Sequence, residues 1–447
     1  MLINDFKQLE RLTKPNKIYN IYFFRPLDGF SIDSRSIARG QAFIALRGQH
    51  KDGHEFIEQA VQNGASLIIA ERFIPTKAHV PFFIVDDTYE AFKRIARYVR
   101  LKKNPLVYAV SGSVGKTTTK EMLGFLLSRD STVLKNYKTE NNLLGVGKTI
   151  FSLKDEDALI LELGTNAAGE IRVLADISQP DIGILTFVKP VHLEGLKTLR
   201  GIFEEKTALL KTNPNIRAVL NRDDAYLRKI NFCKRAYWFG MHKKDNVLWA
   251  HRLKSDLSTA TFLVQGRCVL TLATPFEGFI YNALAALSAA SLSGRALDDL
   301  VRMMNEFRDF PSQRMETKEV NGLIFLNDAY NANPYSFQEA LHFVRKYPAR
   351  KIAIVGDMLE LGDRSLYYHT RLAHSIAKSN FEHVLTYGMH AACVKDTLQA
   401  IGHGSVHHCD SHQAIADFIK KKARKGDVIF LKGSRRMELE KVVALVS

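Results

Sequence analysis

One glycine-containing stretch limits the possible folds of this chain more than any other. Residues 109–121 read AVSGSVGKTTTKE and overlap the apolar run 106–110. A strand, a turn with Gly112 and Gly115, and a helix that opens with Lys-Thr-Thr follow the order of a phosphate-binding loop. Glycine lets the backbone come close to a phosphate, and the helix N-terminus offers free N–H groups. The sequence therefore predicts an α/β fold with a phosphate site where a parallel strand ends.

The side chains of this stretch suit a nucleotide. Lys116 would supply a positive charge for the outer phosphates, and Thr117 a hydroxyl for a nucleotide-bound magnesium ion. Ser113 and Thr118 belong to the same predicted nucleotide site. The motif is a variant, GxxGKTT, because Val110 stands where the standard pattern has its first glycine. A helix N-terminus with chance glycines is the alternative, but the order of strand, loop, Lys-Thr and helix favours phosphate binding.

Composition sets wider limits. A chain of 447 residues suggests about three domains. The net charge of +16 suits nucleic acid, an anionic surface or small polyanionic substrates. The basic run 420–425 has no interleaved aromatic residues, which argues against nucleic acid. The sequence has no apolar run of membrane-spanning length and no signal-peptide pattern at its start, and its cysteines lack metal or disulfide spacing, so we expect a cytoplasmic protein.

Two breaks divide the chain into three predicted domains, 1–103, 104–312 and 313–447. The first break is the charged, proline-ended stretch 102–105, and the second is Phe-Pro-Ser at 310–312. Apolar strands alternate with helices in all three parts, which predicts parallel sheets covered on both faces. The predicted strands are 66–70, 82–85, 131–135, 158–163, 182–188, 217–221, 322–327, 350–355, 383–387 and 428–432. Residues 235–280 read as extended pieces, interpreted as an inserted hairpin region.

Polar residues follow two of the middle strands. Glu162 ends a strand beside the phosphate loop, where a magnesium site needs a hard oxygen ligand. His192 lies at the same predicted edge, although a lone histidine is more often structural. Lys206 follows on a helix, where most lysines are surface charges. In the last part, the dense polar loop NDAYNANP at 327–334 follows a strand, although asparagine-rich turns also occur for backbone reasons alone.

These motifs together resemble the Mur ligases of peptidoglycan synthesis, and most closely their MurF branch. The resemblance covers nearly the whole chain. Its first part contains DSR and DGHEFIEQAVQNGA, its middle part GSVGKTTTKEM, ELGTNAAGEI and HLEGL, and its last part NDAYNANPYS, VGDMLELG and LKGSRRMELE. GKTT and the Glu/His pair are shared with other Mur ligases and folylpolyglutamate synthases, whereas the NANP and GDMLELG strings are specific to the MurF branch.

The resemblance implies a function and an architecture. It implies a small N-terminal UDP-sugar-binding domain, a central P-loop domain and a C-terminal Rossmann-like domain. The implied reaction is ATP- and Mg²⁺-dependent ligation of D-alanyl-D-alanine to UDP-N-acetylmuramoyl-tripeptide by a cytoplasmic monomer without nucleic-acid or membrane partners. The implied catalytic and metal residues are Lys116, Thr117, Glu162, His192 and Lys206 as a carbamate. The implied nucleotide contacts are Asn282, Arg314 and Asp328, and the implied substrate contacts are Ser34, Arg35, Asn141, Asn331 and Asn333.

Some residues depart from the family pattern, and other functions stay open. Of the family's HNxxN segment only Asn282 remains, because Gly278 and Phe279 stand where histidine and asparagine are usual. A P-loop kinase would use the same loop but would show no amine dependence. A nucleotide-dependent binding protein would show no amine-stimulated turnover. A MurE-type ligase would add a single diamino acid, but its DNPR motif is absent from the sequence.

Overall fold

The strands form three sheets that follow one another along the chain. The computed structural model describes residues 2–242, 247–256 and 258–447, and within these ranges the sheets have five, nine and six strands. Most strand pairs are parallel, with helices between the strands, so the predicted α/β class is confirmed.

The first sheet is small. Its strands are Lys17–Tyr19 (β1), Gly29–Ser31 (β2), Gln41–Ile44 (β3), Leu67–Ala70 (β4) and Phe82–Ile84 (β5), and its helices are Phe6–Thr13 (α1), Ile57–Gln62 (α2) and Thr88–Lys103 (α3). The order is β1-β5-β4-β3-β2, and β1 is the antiparallel strand. The Asp87 side chain caps α3, and Asn104, with a left-handed φ of 50°, ends it. Pro105 follows directly and cannot continue the helix.

The second sheet carries the glycine loop. Its strands are Leu106–Ser111 (β6), Val133–Lys135 (β7), Ala158–Glu162 (β8), Ile182–Leu185 (β9), Arg217–Asn221 (β10), Ala236–Gly240 (β11), Leu248–Ser255 (β12), Ala260–Val264 (β13) and Cys268–Leu272 (β14). Its helices are Lys116–Leu127 (α4), Leu143–Phe151 (α5), Glu170–Ser178 (α6), Leu193–Leu196 (α7), Leu199–Thr207 (α8), Phe279–Ser291 (α9) and Leu297–Met304 (α10). The order is β14-β13-β12-β11-β10-β9-β6-β8-β7. The extended pieces predicted at 235–280 are therefore strands, but they lengthen this sheet and are not a separate insertion.

The third sheet follows the same principle. Its strands are Glu316–Val320 (β15), Leu323–Asn327 (β16), Lys351–Gly356 (β17), His383–Tyr387 (β18), Val406–Cys409 (β19) and Val428–Lys432 (β20). Its helices are Pro334–Val344 (α11), Ser365–Ala377 (α12), Ala392–Ala400 (α13), His412–Lys422 (α14) and Glu440–Val446 (α15). The order is β15-β16-β20-β17-β18-β19. Strands β15 and β19 were not predicted, because both are edge strands with exposed polar residues and no continuous apolar run.

The sheet order brings the predicted site together. In the second sheet β6 lies between β8 and β9, so the loops after these three strands meet at one edge. Loops after β16 and β17 and the end of β20 face that edge across a cavity of about 630 Å³. Among the helices that the structure describes, none has the length and hydropathy to cross a membrane.

Candidate active site

The glycine loop between β6 and α4 requires its glycines. Gly112 and Gly115 have φ values of 147° and 84°. A Cβ at Gly112 would lie 2.0 Å from the Oγ1 of Thr186, and one at Gly115 would lie 2.2 Å from the Nδ2 of Asn282. Any larger residue would therefore be both strained and obstructed, so the loop keeps the close backbone that a phosphate needs.

Lys116 lies at the start of α4 with its amine over the loop. Its Nζ donates a hydrogen bond of 3.0 Å to the carbonyl of Gly112. Burial lowers the pKa of Lys116; the negative charge of Glu162 opposes this shift, and the positive charge of Arg314 adds to it. The amine is therefore held in a confined, charged environment where an incoming phosphate would be its natural partner.

The hydroxyls of the loop are already positioned by other parts of the chain. Ser113 Oγ donates to the carbonyl of Lys189 and accepts from the N–H of Lys189, both at 2.9 Å. Thr117 Oγ1 accepts from Nη2 of Arg314 at 3.1 Å. Thr118 lines the cavity. Because Arg314 precedes β15, the third sheet's part of the chain reaches directly to the start of α4.

Glu162 ends β8, and one of its two carboxylate oxygens has no partner in the part of the chain that the structure describes. Its side chain is buried, and Oε1 accepts from Nδ2 of Asn141 at 2.8 Å. Oε2 is buried and has no hydrogen-bond partner among the described residues. A buried oxygen in this state is costly, so it marks a place for a cation or a donor.

Lys206 on α8 is the second such group. It is fully buried, and within the described ranges its Nζ has no hydrogen-bond partner. Burial holds the pKa of Lys206 well below its usual value, and the nearby charge of Lys116 lowers it further, against the effect of Glu205. Glu205 itself is occupied, since it accepts from the N–H groups of Gly169 and Ile171, both at 2.7 Å. Burial of Lys206 therefore disfavours its charged form, and Lys206 is not one of the residues that line the cavity.

The predicted magnesium set has to include more than ordinary acidic ligands. Among the described residues no three His, Cys, Asp or Glu side chains come together as a metal cluster. Thr117, Glu162, His192 and a carbamate on Lys206 would supply three kinds of oxygen and one nitrogen, and Mg²⁺ prefers oxygen. Oε2 of Glu162 and Nζ of Lys206 fit that set, because neither has a hydrogen-bond partner within the described ranges and such a site would provide one.

His192 connects the second and third sheets. It has a left-handed φ of 51°, and its Nδ1 is hydrogen-bonded to Oε2 of Glu360 at 2.5 Å. The N–H of Glu194 donates to the carbonyl of Glu360 at 3.1 Å. The hydrogen bond from His192 lowers the pKa of Glu360 despite its burial. Glu360 was not predicted as a site residue, although it lies in the GDMLELG string.

The three predicted nucleotide contacts outside the loop all line the cavity. Asn282 Nδ2 donates to the carbonyl of Gly115 at 2.9 Å and to Oγ1 of Thr119 at 3.1 Å, so it supports the glycine loop. The guanidinium of Arg314 lies 4.1 Å from the centre of the Tyr330 ring. Asp328 accepts from the N–H of Met315 at 3.1 Å and forms an ion pair with Lys432. Lys432 was not predicted as a site residue.

Asn331 and Asn333 also line the cavity, but their amides have local partners. Asn331 Oδ1 accepts from the N–H of Ala332 at 2.9 Å. Asn333 Oδ1 accepts from the N–H of Ser336 at 2.9 Å, and Ser336 Oγ accepts from the N–H of Asn333 at 3.1 Å. This capping box starts α11, so one asparagine of the NANP string has a backbone reason.

Ser34 and Arg35 lie outside the central cavity, whereas Asn141 lines it. Ser34 is buried and donates to Oε1 of Gln59 at 2.7 Å. Arg35 is exposed and pairs with Asp33 at 2.8 Å. Of the first sheet's part of the chain, Lys93 is the described residue that reaches the cavity.

Three family models match consecutive parts of the chain. Residues 26–112 match the Mur ligase family catalytic domain, residues 110–290 the Mur ligase middle domain, and residues 313–435 the Mur ligase glutamate ligase domain.

Individual proteins match over nearly the full length. The UDP-N-acetylmuramoyl-tripeptide--D-alanyl-D-alanine ligase of Treponema pallidum is 30% identical, with 94% of each chain covered. A crystal structure of MurF from Acinetobacter baumannii superimposes with a TM-score of 0.88 at 28% identity, covering 98% of each chain. The MurF ligase of Thermotoga maritima in complex with ADP gives a TM-score of 0.82 at 28% identity, covering 94% of this chain and 96% of that one.

Proposed function

The chain belongs to the Mur ligase family, and from that premise we propose that it joins D-alanyl-D-alanine to UDP-N-acetylmuramoyl-tripeptide with ATP. The product would be the UDP-linked pentapeptide of peptidoglycan synthesis. One observation carries the proposal: the phosphate loop, the carboxylate of Glu162 and the polar loops of the third sheet face a single cavity. The full-length relatives that are named for this activity favour it over a diamino-acid ligase or a kinase.

The chemistry explains why such a cavity needs ATP. A carboxylate does not react with an amine in water, because oxide is a poor leaving group. Transfer of the γ-phosphoryl group to an oxygen of the tripeptide's terminal carboxylate forms an acyl phosphate and releases ADP. The dipeptide amine then attacks the carbonyl carbon, the C–O bond to phosphate breaks, and the amine loses a proton as the amide forms.

The chain's own residues would position these groups and balance their charge. The Nζ of Lys116 would leave the Gly112 carbonyl and bind the transferred phosphoryl group, and Arg314 would add a second positive charge. Thr117, Glu162, His192 and carbamylated Lys206 would hold magnesium. When bound, Mg²⁺ neutralises phosphate charge during the transfer.

Carbamylation would reverse the sign of Lys206. A neutral amine can add CO₂ and lose a proton to become an anionic carbamate, whereas an ammonium cannot. The burial that lowers the pKa of Lys206 favours the neutral amine that this reaction needs, and its Nζ has no competing partner among the described residues.

The three parts of the chain would divide the ligands. We assign the UDP-sugar to 1–103 with Ser34, Arg35 and Asn141, ATP to 104–312, and the dipeptide to 313–447 with Asn331 and Asn333. Because Ser34 and Arg35 lie outside the cavity, the nucleotide part of the UDP-sugar would bind there, with its peptide reaching inward. We further assign the enzyme to the cytoplasm as a monomer.

A phosphate-release assay with varied amines tests the function. Release should require UDP-N-acetylmuramoyl-tripeptide, ATP, Mg²⁺ and D-alanyl-D-alanine together, with the pentapeptide detected by mass spectrometry. A stable phosphorylated product without amine dependence would instead indicate a kinase. Activity with lysine or diaminopimelate on a dipeptide-bearing nucleotide, and none with D-alanyl-D-alanine, would indicate the MurE-type alternative.

A further inference from the structure

Four exposed aromatic rings lie together at the β1 edge of the first sheet. Tyr19 ends β1, and Tyr22 and Phe23 lie in the 3₁₀ turn that follows it. Tyr22 is 94% exposed, Phe23 47% and Tyr19 37%. Phe73 comes after β4 and is 39% exposed, and its ring centre lies 4.5 Å from that of Tyr19. A group of apolar side chains left in water at one edge marks an interaction surface, because a monomer normally exposes such residues singly.

A hydrogen bond and a buried ring hold this group against the sheet. Nδ2 of Asn20 donates to the carbonyl of Val80 at 3.2 Å, which joins the turn to the segment that follows β4. The ring of Phe73 packs edge-on against Phe82 of β5, with 4.9 Å between the ring centres, and Phe82 is fully buried. The exposed rings are therefore supported by the core of the first sheet's part of the chain.

The two segments that carry these rings, 11–25 and 72–80, contain basic residues and no Asp or Glu. Their cations are Arg11, Lys14, Lys17, Arg25, Arg72 and Lys77. Arg72 pairs with Asp52 at 3.2 Å, but the other five form no ion pair with any residue that the structure describes. Lys17 and Tyr19 alternate along β1, so their side chains extend from the same face of the sheet. Positive charge without a partner in the described part of the protein therefore accompanies the exposed rings.

The basic aromatic surface comprises the four rings and the three cations nearest to them in sequence: Tyr19, Tyr22, Phe23, Phe73, Lys17, Arg25 and Lys77. Its lysines help to identify the partner, because lysine is depleted in protein–protein interfaces. The ammonium group is strongly hydrated, and its long side chain loses entropy where one fixed position is required. A lipid headgroup layer offers many equivalent phosphates and requires no fixed position. Because aromatic rings also suit the boundary between headgroups and acyl chains, the combination favours an anionic lipid surface over a protein.

We propose that the basic aromatic surface docks on anionic phospholipid headgroups. The rings of Tyr22 and Phe23 would enter the headgroup layer, and Lys17, Arg25 and Lys77 would contact lipid phosphates. The net charge of +16 would assist the approach to a negative surface.

This docking goes beyond the proposed function and does not depend on it. Strands β1 and β2 are the two edges of the first sheet, and the segment with Ser34 and Arg35 follows β2. A protein docked through the β1 edge would therefore keep its assigned UDP-sugar residues away from the lipid. The contact would be reversible, and it would add a surface to the cytoplasmic location assigned above.

Sedimentation of the full-length protein with vesicles tests the proposal. Vesicles of equal parts phosphatidylglycerol and phosphatidylcholine should bind the protein at about 0.1 M salt, and binding should be largely lost at about 1 M salt, where charges are screened. Pure phosphatidylcholine vesicles should bind it about tenfold more weakly or less. Lys17→Gln, Arg25→Gln and Lys77→Gln should each lower the partition constant about fivefold. Tyr22→Ser combined with Phe23→Ser should lower it about tenfold or more.

Tyr22→Trp supplies a second measurement at the surface itself. Its fluorescence emission should shift to shorter wavelength with the mixed vesicles, beyond any shift of the wild type with its two tryptophans. Because the side chain of Tyr22 is almost fully exposed, its substitution should leave thermal unfolding unchanged. Phosphate release without vesicles should also equal that of the wild type, so a failure of lipid binding leaves the proposed function untouched.

Matched variants at other exposed positions separate docking from adsorption through net charge alone. Lys420→Gln with Lys421→Gln removes two charges from the basic end of α14, and Tyr137→Ser removes an exposed ring from the second sheet's part of the chain. Both should keep binding close to that of the wild type. No binding of the folded wild type to the mixed vesicles, or a larger loss in the α14 variant than in the variants of the basic aromatic surface, would overturn the proposal. Self-association that Tyr22→Ser with Phe23→Ser abolishes, without vesicle binding, would assign the surface to a second copy of the chain and would also overturn it.

Discussion

The two sides of the central cavity differ in whether the polar groups named above already have partners within the protein. On the second sheet's side, Glu162 and Lys206 each carry a buried atom without a partner among the described residues. On the third sheet's side, Asn333 caps a helix and Asp328 is paired with Lys432. The unpartnered atoms of Glu162 and Lys206 are groups that a ligand would satisfy, whereas Asn333 and Asp328 already have partners within the protein. We therefore expect the magnesium ligands on the second sheet's side, with the third sheet's side adding Arg314 and enclosing the cavity.

The largest effect is expected at the phosphate loop. Lys116→Ala should lower kcat by about 100- to 1,000-fold, because the amine stabilises charge that develops only during transfer. Its free energy of unfolding should change by about 1 kcal/mol or less, since the lost protein contact is one hydrogen bond to Gly112. Phosphate release and thermal unfolding measure the two quantities. The exposed Lys154→Ala serves as control, and normal phosphate release from Lys116→Ala would contradict the nucleotide assignment.

Two fully buried lysines, Lys206 and Lys120, test what it means for a buried polar group to lack or to have a partner. Lys206→Ala should be nearly inactive and should recover with short-chain carboxylic acids, which can place an anionic oxygen where the carbamate would lie. Lys120 is equally buried but donates to the carbonyls of Asn136 and Lys138 at 2.7 and 2.6 Å. No small acid should restore Lys120→Ala.

The same two lysines should differ in the opposite order in their contribution to stability, with Lys120 contributing more than Lys206. Lys120→Met should cost about 2 kcal/mol or more, because two carbonyls lose a charged donor. Lys206→Met should lie within about 1 kcal/mol of the wild type, since it removes a buried amine that has no hydrogen-bond partner in the described part of the chain. Denaturant unfolding measures both values. A fully active Lys206→Ala, or an inactive one that no acid restores, would leave the carbamate without support.

A smaller effect is expected at the connection between the two sides. Glu360→Gln should raise the Mg²⁺ concentration for half-maximal activity by about tenfold, because the carboxylate orients the imidazole of His192. It should also raise the radius of gyration in small-angle scattering, since this bond joins the second and third sheets. Glu194→Gln is the matched control, because only the backbone of Glu194 takes part in the contact. Wild-type magnesium dependence in Glu360→Gln would remove its positioning role.

Within each sheet, sequence pattern was sufficient to predict most of the structure. The interior strands β4, β8, β9 and β17 are continuous apolar runs, so their burial on both faces follows from composition alone. The phosphate loop was also predictable. Its glycines Gly112 and Gly115 lie where neighbouring residues leave no room for a Cβ, so the sequence has to carry glycine there. The edge strand β15 was missed because an exposed edge needs no apolar pattern.

Between the sheets, sequence pattern was not sufficient. The contact between His192 and Glu360 and the one between Thr117 and Arg314 depend on how two separate sheets face each other, which no periodicity encodes. Asn333 shows the reverse case. It stands in a conspicuous polar string, but it caps α11 together with Ser336, and the spacing of these two residues in the sequence already allowed that local role.

The smallest effect is expected at Glu277, which joins the two sides of the cavity at the surface. The stability that its ion pairs contribute should depend on pH. It accepts from Nζ of Lys346 at 2.7 Å and from Nη1 of Arg252 at 3.0 Å. Burial raises the pKa of Glu277, but hydrogen bonds from Lys346, Ser255 and Arg252 outweigh it and lower the pKa from 4.5 to about 2. The unfolded state therefore binds more protons between these values, so the stabilisation is complete above pH 4.5 and is lost as pH falls toward 2. Glu277→Gln should lower the free energy of unfolding at pH 7 by less than about 1 kcal/mol, because the group is partly solvated, and the difference in denaturant midpoint should shrink below pH 4. Glu306→Gln breaks a more exposed pair with Arg129 inside the second sheet's part and should show a smaller difference. Equal midpoints for Glu277→Gln and wild type at pH 7, or a difference that does not change with pH, would show that this ion pair does not hold the two sides together.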